Sequence, residues 1–303
     1  MIYLILIFSF FLLIKSADIF CENSSAIAKK FGIPSFIIGM TLVSISTSLP
    51  ELTVSITSAL NGLNDMSVAN VTGSNLFNLL CGLGISAIIT KLKVDKDTTK
   101  QIKISIISSL LLVVSVAGLY FSRLEGLVFL VVFGIYMYSL IKNPKSNSNQ
   151  DFKMKHSLVI TVLLITLSVI GIVVGGDLLV ESASQVASQL GMSDNLIGLT
   201  VVAVGTSAPE FATSIMAIRK GDNGLALGNI IGSNIFNILF VLGVSSMISP
   251  MSIGFVSFID AIVLLVGTAL FFIVTKDKGE LKRWHGIVMV LSYVIYIIYT
   301  IIR

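Results

Sequence analysis

At 303 residues, with 55% hydrophobic and only 12% charged positions and a mean hydropathy of +0.98, this chain is too apolar for a soluble domain. Its formal charge of +4 does not mark a nucleic-acid binder, because the basic residues sit in short loops between apolar runs, where they report membrane orientation. Two cysteines, Cys21 and Cys81, make no disulfide framework.

A bilayer-spanning helix needs about 20 mostly apolar residues. Ten runs qualify, near 2–20, 36–60, 66–90, 104–121, 124–141, 158–180, 194–218, 225–249, 254–275 and 284–302. The first lacks the basic leader and small-residue cleavage site of a secretory signal, so it is read as a retained helix. The expected fold class is an all-α membrane protein of ten transmembrane helices in two inverted five-helix repeats. Residues 1–141 form the first repeat, the polar stretch 142–157 a cytoplasmic linker, and 158–303 the second repeat. With the N-terminus outside, 17 of the 20 basic residues fall in inner loops. The expected location is therefore the cell membrane, multi-pass, with both termini outside.

The repeat is written in the residues. Thr47-Ser48-Leu49-Pro50-Glu51 recurs 159 positions later as Thr206-Ser207-Ala208-Pro209-Glu210, and 20 of the 46 positions from 39 to 84 are identical to their mates. Five spans per half is an odd number, so the halves enter the membrane with opposite orientation. Inverted repeats with interrupted helices at matching positions point to a transport site near the midplane. A carboxylate in the bilayer core costs roughly 3 kcal/mol or more, so Glu51 and Glu210 are functional candidates by default.

Each proline lacks an N–H, which predicts that Pro50 and Pro209 free the carbonyls of Ser46 and Gly205. Thr47 and Thr206 lie four residues before the glutamates, on the same helix face. The following helices carry Asn70, Ser74 and Asn78, and Asn229, Ser233 and Asn237, at steps of four. This donor set of carboxylates, hydroxyls, amides and carbonyls suits hard cations such as Ca2+ and Na+, whereas zinc or copper would want imidazole or thiolate. Asn75 and Asn234 face away from the stripe, toward capping or interhelical bonding. Asp18, Glu22, Asp177, Glu181, Asp260, Glu125 and His285 are expected at the interface, the first four with a gating role open to them. His156 is expected to be solvated.

Residues 198–210 and 228–237, with their first-half copies, resemble the two alpha repeats of the sodium/calcium exchanger family of cation/Ca2+ antiporters. The resemblance implies that Glu51 and Glu210 are the central ligands and that Thr47 and Thr206 add carbonyl and hydroxyl oxygens. It implies that Ser48, Ser74, Ser207 and Ser233 line flanking sodium sites, beside the carbonyls of Ser44 and Ala203. Asn78 and Asn237 complete the middle. Ser46 stands where the family usually has Gly, and Asn237 where potassium-dependent relatives have Asp.

The implied function is K+-independent exchange of Na+ for Ca2+ by alternating access. The transported ions are the substrates, no cofactor is required, and the expected partners are the lipid bilayer and no nucleic acid, with the chain a monomer. The alternatives are a proton-coupled antiporter of the same fold and, in another class, an ion channel. An intramembrane enzyme is disfavoured, because neither His-Glu-x-x-His nor Gly-x-Ser-x-Gly occurs.

Overall fold

The computed structural model describes residues 2–62, 64–142, 154–191, 203–276 and 279–302. Nearly all of it is helix. In chain order the elements are α1 (Ile2–Phe31), α2 (Ser35–Thr47), α3 (Leu49–Leu60), α4 (Asp65–Ile89), β1 (Leu92–Lys93), α5 (Lys96–Val116), β2 (Tyr120–Phe121) and α6 (Arg123–Lys142). Then follow α7 (Leu158–Gln189), α8 (Ala203–Thr206), α9 (Ala208–Arg219), α10 (Asn223–Ile248), β3 (Met251–Ser252), α11 (Phe255–Lys276), β4 (Glu280–Leu281) and α12 (Arg283–Ile302).

Among the described residues, eight helices are long and apolar enough to cross a bilayer, and α2 with α3 makes a ninth span if counted together. The run expected over 194–218 is described only from 203 onward, and most of the linker also lies outside the described residues. The second expected span is two helices bent by 46° at Ser48. Pro50 therefore sits in the opening turn of α3, and Pro209 in that of α9. There a missing N–H costs nothing, so the prolines start helices rather than kinking them from within.

The centre of the bundle is α10, whose 18-residue window is 94% buried, against 17% for α12 at the periphery. It crosses α2 where Gly228 and Gly232 meet the backbone of Phe36, Gly39 and Met40 with no room for a Cβ. The last helix of each half packs on the third-span helix of the other. Gly286 of α12 lies against Gly84 of α4, and Gly126 of α6 against Gly243 of α10.

Two short ladders repeat this exchange. β1 pairs antiparallel with β4, and β2 with β3. In sequence β3 is the copy of β1, 159 residues on, so each ladder is the counterpart of the other. They cap opposite ends of α5.

Both α4 and α10 widen into a π-turn, Phe77–Gly82 and Asn237–Val241. Such bulges expose backbone and recur at functional sites.

Candidate functional site: a buried pair of carboxylates

Glu51 and Glu210 occupy the first turns of α3 and α9, where the helix dipole favours negative charge. Both are 0% exposed. Each is held by the opposite half: the Ser48 hydroxyl donates to Glu210 Oε1 at 2.7 Å, and the Ser207 hydroxyl donates to Glu51 Oε1 at 3.2 Å. Ser74 lies beside the Glu51 carboxylate. The serine and glutamate of each motif thus serve two different carboxylates, a cross-connection that only the assembled halves create.

A second layer fixes the main chain. Asn70 Nδ2 donates to the Glu51 carbonyl at 3.2 Å and to Ser55 Oγ at 3.0 Å. Asn229 Nδ2 makes the same two bonds to the Glu210 carbonyl at 3.1 Å and Ser214 Oγ at 2.9 Å. The Thr47 hydroxyl stands 3.2 Å from Asn229 Oδ1 and 3.1 Å from the Val43 carbonyl. Asn70 and Asn229 were legible as members of the polar stripes, yet their grip on the glutamates was not, because a hydrogen bond 19 residues along the chain leaves no periodic trace. Asn75 and Asn234 make the expected interhelical bonds, each donating to the other's carbonyl at 3.0 and 3.2 Å.

The remaining oxygens have no hydrogen-bond partner among the described residues. They are Glu51 Oε2, Glu210 Oε2, Ser74 Oγ, Ser233 Oγ, Asn78 Oδ1 and Asn237 Oδ1, all buried. Asn237 Nδ2 is committed, donating to Asn75 Oδ1 at 3.1 Å, which turns Oδ1 outward from that bond. Buried carboxylate, hydroxyl and amide oxygens without partners are expensive. Neither glutamate forms an ion pair among the described residues. Among the described residues no group of three or more His, Cys, Asp or Glu side chains is placed to hold a metal ion.

Of the other residues singled out in the sequence, Thr206 is buried at the end of α8 and Ser44 returns its hydroxyl to the Met40 carbonyl at 2.8 Å. Ala203 opens α8, and its side chain lies outside the described residues. The expectation of interfacial solvation fails for two residues. Asp260 is buried on the inward face of α11, and His285 is buried against Trp284, its Nδ1 accepting the Lys282 N–H at 3.0 Å. His285 caps the start of α12, as Glu125 caps α6 by accepting from Ser122 N at 2.7 Å. His156 is half-buried.

This geometry has known counterparts. The family model described as sodium/calcium exchanger protein matches residues 1–142 and 160–302. The chain belongs to the sodium/calcium exchanger family. It is 31% identical to the sodium/calcium exchanger MaX1 of Methanosarcina acetivorans over 98% of this chain and 97% of that one. It is 32% identical to the inner membrane protein YrbG of Escherichia coli, over 97% and 94%. Among solved structures, the sodium-calcium exchanger NCX_Mj soaked with 2.5 mM Na+ and 0.1 mM Sr2+ superposes with a TM-score of 0.87 at 33% identity, covering 98% of this chain and 99% of that one. As a member of this exchanger family the chain is a multi-pass membrane antiporter of cations.

Proposed function

We propose that this exchanger carries Ca2+ against Na+ by alternating access at one site between Glu51 and Glu210, without K+ and without proton coupling. The supporting observation is the pair of fully buried carboxylates, each with one oxygen bonded and one unpartnered, on a chain whose Ser74, Ser233, Asn78 and Asn237 also keep buried unpartnered oxygens among the described residues. Two carboxylates balance one Ca2+, and six to eight oxygens are what that ion takes. Ser74, Ser233, Ser48 and Ser207 would serve Na+ beside them, with the carbonyls of Ser44 and Ala203 and the oxygens of Thr47 and Thr206. Asn78 and Asn237 are neutral, so the loaded site needs no additional cation.

Alternating access draws on the two halves as inverted repeats of 1–141 and 158–303. The mirrored bonds of Asn70 with Asn229, Asn75 with Asn234 and Ser48 with Ser207 support that reading, as do the exchanged strand ladders at opposite ends of α5. The loop charges support an outside location for both termini. An impermeant reagent should leave a Ser148→Cys thiol unlabelled in intact cells, and labelling would reverse the orientation.

The experiment is Ca2+ uptake into proteoliposomes under an outward Na+ gradient, with K+ present or replaced by an inert organic cation. Uptake should follow the Na+ gradient and ignore K+. Uptake that needs a pH gradient and not Na+ would replace this reading with proton coupling, and a strict K+ requirement would sink the charge count.

A further inference from the structure

Between α4, α5, α10 and α11 lies a void of about 10 Å3. Leucine, isoleucine and phenylalanine side chains make most of its wall, but three polar residues share it: Ser105 of α5, Asn234 of α10 and Thr268 of α11. They are only 5%, 3% and 2% exposed. One water needs a space of roughly 10–15 Å3 and about two to four polar partners. The void offers both. The Thr268 hydroxyl donates back to the Leu264 carbonyl at 2.8 Å and keeps lone pairs for another donor. Asn234 Nδ2 is committed to the Asn75 carbonyl at 3.2 Å, while Asn234 Oδ1 is buried without a donor among the described residues. An acceptor left so in apolar surroundings is costly.

The internal repeat supplies a control. Asn75 is the mate of Asn234, and its Oδ1 receives a donor from the protein itself, Asn237 Nδ2 at 3.1 Å. The donor that symmetry would bring to Asn234 Oδ1 is Asn78 Nδ2, and that atom makes no hydrogen bond among the described residues. The wall residues differ between copies in the same sense. Asn234 and Thr268 have polar mates, Asn75 and Ser109, whereas the mate of Ser105 is Leu264. The chain departs from its own repeat by placing a hydroxyl in the wall it shares with the amide oxygen that lacks a donor.

We propose that this void is a binding site for one water molecule, which donates to Asn234 Oδ1 and to Thr268 Oγ1 and accepts from the Ser105 hydroxyl. About three hydrogen bonds are what a buried water makes. A cation is a poor occupant, because no carboxylate lines the void and its apolar wall would strip the ion of solvent. The water also decides which way the Asn234 amide points. With Oδ1 supplied from the void, Nδ2 stays on the Asn75 carbonyl, and Asn75 Oδ1 in turn holds Asn237. A chain of bonds thus runs from Ser105 through the water and two amides to Asn237, and Ser105 acts as a positioning residue. The last link rests on the proposed transport site, whereas the water itself does not.

The test is a crystal structure of the intact protein, at a resolution that shows ordered water, together with the melting of two variants. In the wild type a water peak should stand about 2.5–3.0 Å from Asn234 Oδ1 and from the hydroxyl of Ser105 or Thr268. Ser105→Thr and Ser105→Val have the same shape and differ only in the hydroxyl. Thr keeps a donor in the wall, whereas Val fills the space of the water with a methyl group and strands Asn234 Oδ1. The Val variant should therefore melt below the Thr variant. In a dry void that needs no donor, filling space with carbon is stabilising and the order reverses. Absence of the peak in the wild type, or a Val variant that melts at or above the Thr variant, would overturn the site. The wild-type map requires no variant to fold, so it decides the matter alone if Val misfolds. In proteoliposomes, Na+-driven Ca2+ uptake should be slower in the Val variant than in the Thr variant. Equal uptake would overturn the link to Asn237 and leave the water standing.

Discussion

Asp18 and Glu22 on α1 match Asp177 and Glu181 on α7, 159 residues later, but their surroundings differ. Lys220 stands 2.7 Å from Asp18 and 3.8 Å from Glu22, and Lys155 reaches Glu22 at 3.4 Å. Ser25 adds a bond to Asp222 at 2.8 Å, and Cys21 donates to the Thr213 carbonyl at 3.2 Å. The second-half acids make no ion pair among the described residues. They instead line a cavity of about 240 Å3 that runs to Pro50, Thr206 and Pro209 beside the buried glutamates. The mates of Cys21 and Thr213 are Val180 and Val54, both in the cavity wall, where no equivalent bond can form.

The lesson is that two near-copies need not be in the same state at the same time. The acids on α1 are ion-paired, whereas those on α7 border the cavity. The amides repeat the difference: Asn237 Nδ2 reaches Asn75 Oδ1, while both polar atoms of Asn78 and Asn234 Oδ1 are unpartnered.

The largest expected effect falls on what the halves share. Glu51→Gln or Glu210→Gln leaves one carboxylate against a divalent ion, so Na+-driven Ca2+ flux should drop at least a hundredfold in folded protein. Near-normal flux in either variant would remove that residue from the site.

Next come the anchors, where the halves should separate. Asn229→Ala strips two donor bonds and the Thr47 contact from a fully buried position, a loss of about 1–3 kcal/mol in unfolding free energy. Asn70→Ala, which has no third partner among the described residues, should cost less. Thermal melting in detergent orders the pair, and the reverse order would contradict the bonding described here.

A smaller change tests the closed side. Cys21→Val installs the residue found at its mate and removes one neutral hydrogen bond, worth about 1 kcal/mol. A cysteine placed at Val54 or Val180 should become less reactive to small thiol reagents as α1 opens in exchange. Unaltered reactivity would detach Cys21 from closure.

Lys220→Gln should have the smallest effect. Its partners are a quarter to a half exposed, and such ion pairs contribute under about 1 kcal/mol and fade with salt. A modest, salt-sensitive shift of the same thiol reactivity is expected, and a loss of fold would show that Lys220 does more than pin the face.

Much of this was written in the chain. Apolar run length marked the membrane, the offset of 159 marked the repeat, and a glutamate after a proline at both copies marked the candidate site, because burying a carboxylate in lipid is costly. Periodicity of four exposed the polar faces of α4 and α10 for the same reason. Tertiary structure alone decided the rest. The bonds of Ser48 to Glu210 and Ser207 to Glu51 span about 160 residues, and no local pattern encodes which carboxylate a serine will meet. The break at Ser48 and the π-turns at Phe77 and Asn237 depend on how helices pack, since backbone leaves the regular helix only where neighbours satisfy or use its groups. Which acids are ion-paired depends on α1, with Asp18 and Glu22, meeting Lys220 in the turn after α9. Two sequences this similar can be told apart only by the contacts each makes with the other.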